Sequence, residues 1–82
     1  MEWHHIIERS QILKSFFSPF RVNHTNNVIA IPRPVHKEIS KYYSRIHDFT
    51  EGKTYRNWLA GQSFTDQYNS GLDVLRHYGV IE

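Results

Sequence analysis

The chain contains no cysteine, and in 82 residues that absence decides most of what it can fold into. A domain this small buries only ~60% of the surface its unfolded chain exposes, so its core is marginal and is often supplemented by a disulfide or a metal. Here neither a disulfide framework nor a thiolate zinc site exists. Any metal has to sit on imidazole, carboxylate, amide or water. Six histidines is a high number for the length, and two of them, His4 and His5, are adjacent. One domain is expected. Hydrophobic residues at 39% and aromatics at 15% place it among globular rather than disordered chains. A net charge of +2 with a pI of about 9.1 is compatible with a phosphate-backbone partner without demanding one. No apolar run approaches the ~20 residues of a membrane span, and no membrane partner is expected. The acidic, His-rich start does not read as a signal peptide. A chain that opens directly on functional-looking residues reads as the C-terminal part of a longer protein.

Residues 2–8 alternate as a short strand, with Glu2, His4 and Ile6 on one face and Trp3, His5 and Ile7 on the other. Residues 9–25 read as a compact loop or helical-turn excursion held down by Ile12-Leu13 and Phe16-Phe17. Residues 27–32 are β-branched and apolar, a second strand that Pro32 stops. Pro34 opens an amphipathic helix over 34–46, on which Val35, Ile39, Tyr42, Tyr43 and Ile46 recur at helical spacing. Thr54 caps a short helix through Leu59 that Gly61 ends. Ser63 starts a last helix with Phe64, Tyr68, Leu72, Leu75 and Tyr78 on one face. Gly71 inside it costs ~1 kcal/mol relative to alanine, which fits a close helix contact. The first strand, second strand and following helix (1–46) are expected to carry the chemistry, and 47–82 to cover the core.

Phosphodiester hydrolysis needs a base to activate water, a cation to stabilise charge on the phosphate, and a rigid frame. Histidine suits the base because its pKa lies near neutrality. Neighbouring strand residues point to opposite faces, so His4 and His5 divide the work: one faces a metal, the other the attacking water. His36, on the first helical turn, can meet the strand histidine across a single ion. Asn27 can either lend its amide oxygen to that ion or hold the catalytic histidine's loop by hydrogen bonds. Arg9, Arg33 and Lys37 lie around this set and are candidates for phosphate contacts. His24 reads as a solvated loop residue, and His77 suits the C-terminal end of a helix. His47 lies ~16 Å along a helix from His36, too far to share an ion. Tyr42 and Tyr43 read as packing residues.

The ordered set His4-His5, Asn27 and His36 resembles the HNH/endonuclease VII superfamily of ββα-metal (His-Me finger) nucleases. The phrase Glu2-Trp3-His4-His5, with Asn26-Asn27-Val28-Ile29-Ala30-Ile31 and Val35-His36-Lys37-Glu38-Ile39, is most similar to WHH-type nuclease domains at the C-termini of bacterial polymorphic toxins. Tyr55 to Phe64 extends that resemblance over nearly the whole chain. The resemblance implies an α+β fold: a small ββα-metal core, a two-stranded antiparallel sheet plus helix, with two additional C-terminal helices. It implies His4 and His36 as metal ligands, His5 as general base, and Asn27 as a ligand in some members and an orienting residue in others. It implies one divalent ion, Mg²⁺, Mn²⁺, Zn²⁺ or Ni²⁺. Many members carry a second helix histidine where this chain has Ser40. The expected function is a metal-dependent endonuclease, a non-specific DNase toxin acting on DNA, or on RNA, in the cytoplasm of a target cell. Its protein partner would be a cognate immunity protein. A catalytically inactive nucleic-acid- or protein-binding module of the same fold is the alternative.

Overall fold

The computed structural model describes residues 1–82. Strand β1 (Glu2–His5) pairs antiparallel with β2 (Val28–Ile31), placing Glu2 opposite Ile31, Trp3 opposite Ala30, His4 opposite Ile29 and His5 opposite Val28. The expected small α+β fold is present: one two-stranded antiparallel sheet with helices packed around it.

β1 is shorter than the alternation suggests, and the reason is tertiary. One further bond follows the register, from the Ile6 N–H to the Asn27 carbonyl at 2.7 Å, and the backbone then leaves the ladder at Ile7, which is held by the Asn27 side chain. Ile6 and Ile7 are then both buried rather than alternating in and out.

Between the strands run two single-turn helices, α1 (Gln11–Lys14) and α2 (Pro19–Val22), and a 3₁₀ turn at Thr25–Asn27. Pro19 sits at the start of α2, where its missing N–H costs nothing. The major helix α3 (Arg33–Ser44) begins with Pro34 in its first turn. It stops two residues short of the expected end. Ile46 instead forms an extended bridge with Thr54 and is 63% exposed, so it does not join the core face.

Helices α4 (Tyr55–Leu59) and α5 (Phe64–His77) have the expected caps: Thr54 accepts the Asn57 N–H and Ser63 accepts the Asp66 N–H. On α5 the buried residues are Gln67, Gly71, Val74 and Leu75, so the inward face is rotated from the one the apolar spacing suggests. Tyr68, Leu72 and Tyr78 flank it, half-buried. Gly71 makes a close approach, though not to another helix. A Cβ there would lie 2.4 Å from the Ile6 carbonyl oxygen. α5 thereby presses on the chain segment that leaves His5. One cluster of Ile6, Ile31, Ile39, Tyr43, Tyr55, Leu59, Val74 and Leu75 unites the ββα part with the helical cover.

Candidate active site

The site lies where β1 meets the first turns of α3. His4 is only 4% exposed, and its ring meets that of His36 edge to face with centroids 5.5 Å apart. The His4 Nε2 atom is buried and has no hydrogen-bond partner. Burial, reinforced by the nearby charges of His36 and His5, lowers His4 to about 4, so its ring is neutral at physiological pH.

His36 is oriented by Glu2. Its Nδ1 lies 3.0 Å from Glu2 Oε2, and Arg33 Nε donates to Glu2 Oε1 at 3.1 Å. The His36 hydrogen bond is the main cause holding the Glu2 carboxyl below its ordinary range, so it is ionised and accepts only. The proton of a neutral His36 therefore sits on Nδ1, and Nε2 keeps a free lone pair. A carboxylate behind a histidine is the usual support of a metal-binding imidazole. Glu2 was not among the site residues expected from sequence. Its signal was the strand period, which puts it two residues from His4 on the same face.

His5, half-buried, shares with His4 and His36 the wall of a cavity of about 320 Å³ that also includes Glu8, Arg9 and Ser40. Burial lowers the His5 pKa, and a hydrogen bond with Asn23 opposes that shift. A lowered pKa leaves the ring unprotonated and able to accept a proton near neutrality. Glu8 at the wall is clamped by Arg56, whose Nε and guanidinium nitrogen reach its two oxygens at 2.6 and 2.8 Å. Nothing in the sequence pairs residues 48 positions apart, so Arg56 reads there as scaffold only.

Asn27 belongs to a different place. Its Oδ1 accepts the Ile7 N–H at 2.8 Å, and its Nδ2 donates to the carbonyls of Ile7 and Val22 at 3.0 and 2.7 Å. The side chain is buried, fully engaged and absent from the cavity wall. The expectation of Asn27 as a metal ligand is corrected by this geometry, which fits only the orienting alternative: its amide oxygen is spent on the backbone just after His5. Of the expected phosphate contacts, Arg9 is on the cavity wall, exposed Arg33 is engaged by Glu2, and Lys37 is exposed on α3 away from the wall. His24 caps the 3₁₀ turn by accepting the Asn26 N–H, and His47 Nε2 lies 2.9 Å from the Tyr42 carbonyl.

A divalent ion could be held by His4 and His36: the buried His4 Nε2 has no protein partner, and as the unprotonated nitrogen of a neutral ring it could ligate. No group of three His, Cys, Asp or Glu side chains converges as a ligand set, and Ser40 occupies the wall one helical turn beyond His36. Two imidazoles are therefore the side chains that could hold an ion here. Comparison of the chain with family models, with curated proteins and with solved structures finds no match.

Proposed function

We propose that this chain is a metal-dependent endonuclease that hydrolyses phosphodiester bonds. The observation that carries the reading is the buried, unpartnered His4 Nε2 beside the Glu2-oriented ring of His36, in one cavity with the neutral base His5. A buried polar atom without a partner costs roughly 1–3 kcal/mol, a cost that a bound cation removes.

His4 and His36 would hold the ion, which when bound supplies charge stabilisation at the phosphate and leaving oxygen. His5 takes a proton from water. The resulting hydroxide oxygen bonds to phosphorus as the P–O3′ bond breaks, and the 3′ oxygen takes a proton from solvent. Arg9 on the wall binds a non-bridging phosphate oxygen. Asn27 keeps the turn after His5 in place, so the base does not drift from the phosphate. By the resemblance, the domain is the toxic C-terminal part of a longer bacterial protein, its substrate is DNA, and a cognate immunity protein restrains it.

The test is nicking of supercoiled plasmid by wild type and His5→Ala, with Mg²⁺, Mn²⁺, Zn²⁺, Ni²⁺ or EDTA. Loss of ~10²–10⁴-fold in rate with metal affinity retained is the expected result. A folded protein that binds metal and cleaves neither DNA nor RNA would leave the inactive binding module.

A further inference from the structure

A second groove shares no lining residue with the His4–His36 cavity. It measures about 270 Å³ and is lined by Phe20, Arg21, His24, Asn26, Phe64 and Tyr68, with Asn27 at its floor. Its chemistry is unlike that of the core beside it. The Phe64 and Tyr68 rings are nearly parallel, 14° apart, and Phe17 braces Phe64 edge-on. Phe20 is 78% exposed. The Arg21 guanidinium lies 3.9 Å over the Phe64 ring, and no carboxylate pairs with it.

The groove offers two nitrogen donors, the Arg21 guanidinium and the His24 ring. His24 Nδ1 accepts the Asn26 N–H, so a neutral His24 carries its proton on Nε2 and donates. The Tyr68 hydroxyl donates to the Asn26 carbonyl at 2.9 Å, riveting α5 to the turn. No Asp or Glu lines the groove. A site with flat aromatic faces, a free guanidinium and an imidazole N–H selects a flat ring attached to an anion. Its volume falls just under the ~300–1,000 Å³ of drug-sized pockets, which suits one ring system. Duplex bases are stacked inside the helix and offer no free face. Unpaired ones stack on aromatic side chains and arginine without regard to sequence.

The geometry points to this groove as a binding site for an unpaired nucleotide of a single-stranded nucleic acid. The base stacks on Phe20 and Tyr68, and the phosphate meets Arg21 and His24. The groove adjoins the candidate active site through the chain: Asn27 lines the groove and holds the backbone of Ile7, two residues beyond His5. This inference rests on the nucleic-acid reading of the His4–His36 cavity and deepens it: the preferred substrate is single-stranded or locally unpaired.

Fluorescence anisotropy of the full chain in EDTA, with a labelled single-stranded oligothymidylate and with its duplex, tests binding without cleavage. Single strand should bind more tightly than duplex. Phe20→Ala, a change at an exposed ring, should weaken it ~5- to 100-fold. Arg21→Ala should weaken it and reduce the salt slope by about one. Phe20→Ala should melt at the wild-type temperature, because its ring is 78% exposed, so a weaker affinity reports the groove and not the fold. Equal affinity for duplex, undiminished binding by Phe20→Ala, or binding of an acidic tyrosine peptide in place of the oligonucleotide would overturn the proposal. Phe20-dependent binding with no hydrolysis in any metal would uphold the groove and remove the nuclease. Plasmid nicking with no single-strand preference would do the reverse.

Discussion

Two buried polar side chains sit on either side of the turn after β1 and are treated in opposite ways. Asn27 is buried with both ends of its amide bonded, to the two backbone groups of Ile7 and to the Val22 carbonyl. His4 is almost as buried, yet its Nε2 bonds to nothing. Burial without a partner is costly, so a satisfied amide fits a residue that holds the fold, and the orphaned imidazole beside His36 fits the proposed metal ligand; the Tyr43 hydroxyl and Gln67 Oε1, also buried without partners, lie away from that cavity wall. The same small domain thus separates its structural polar knot from its candidate chemical one by only a few residues of chain.

The difference is testable as stability. Asn27→Ala strands three buried backbone groups and should destabilise by about 3–4 kcal/mol. That is a large part of the ~4–12 kcal/mol expected of a domain this size, so urea or thermal melts should show a marginal or unfolded protein. A melt close to wild type would break the comparison.

Acid should act on the other partner. Unfolded His4 takes a proton near 6.5, whereas the folded protein keeps it neutral to about 4. Between those values the unfolded state binds the extra proton. The contribution is full above pH 6.5 and is lost as pH falls toward 4, on the order of 2–3 kcal/mol in chelator. Denaturation midpoints across that window should slope upward with pH in wild type and be flatter in His4→Ala.

Gly71→Ala tests what braces the turn. Its methyl would meet the Ile6 carbonyl oxygen, and overpacking of this kind costs about 1–3 kcal/mol. Plasmid nicking should fall further than the melt predicts, because the displaced segment carries His5. The smallest effect belongs to His4→Ala in chelator. It deletes no hydrogen bond, so its cost is confined to lost packing and should stay below that of Asn27→Ala, while metal binding is abolished. A loss as large as that of Asn27→Ala would show that His4 is structural.

The elements were largely legible in the sequence. The β-branched run before Pro32, the Pro34 start, the Thr54 and Ser63 caps and the Gly61 stop are local devices acting within a few residues. The candidate site was legible in part. His4, His5 and His36 could be singled out because strand alternation and the first helical turn place them near one another. Glu2 was visible on the His4 face, but its role was not, because its partner lies 34 residues away. The inward face of α5 was misjudged because Gln67 and Gly71, which carry no apolar signal, are buried there. Gln67 donates to the Leu59 carbonyl and the Ser15 hydroxyl, and Gly71 makes room for Ile6.

By itself the sequence determined the order of strands and helices, their caps, and the set of imidazoles available to a chain without thiols. Periodicity, proline and glycine act through backbone geometry over one or two turns, so their effect is written locally. Only the tertiary structure decided that Asn27 serves the backbone and not an ion, that Glu2 steadies His36, that Arg56 clamps Glu8, and that His4 is left unpaired. Those outcomes join residues 20 to 48 positions apart, and they follow from which groups packing removes from water and leaves within bonding reach.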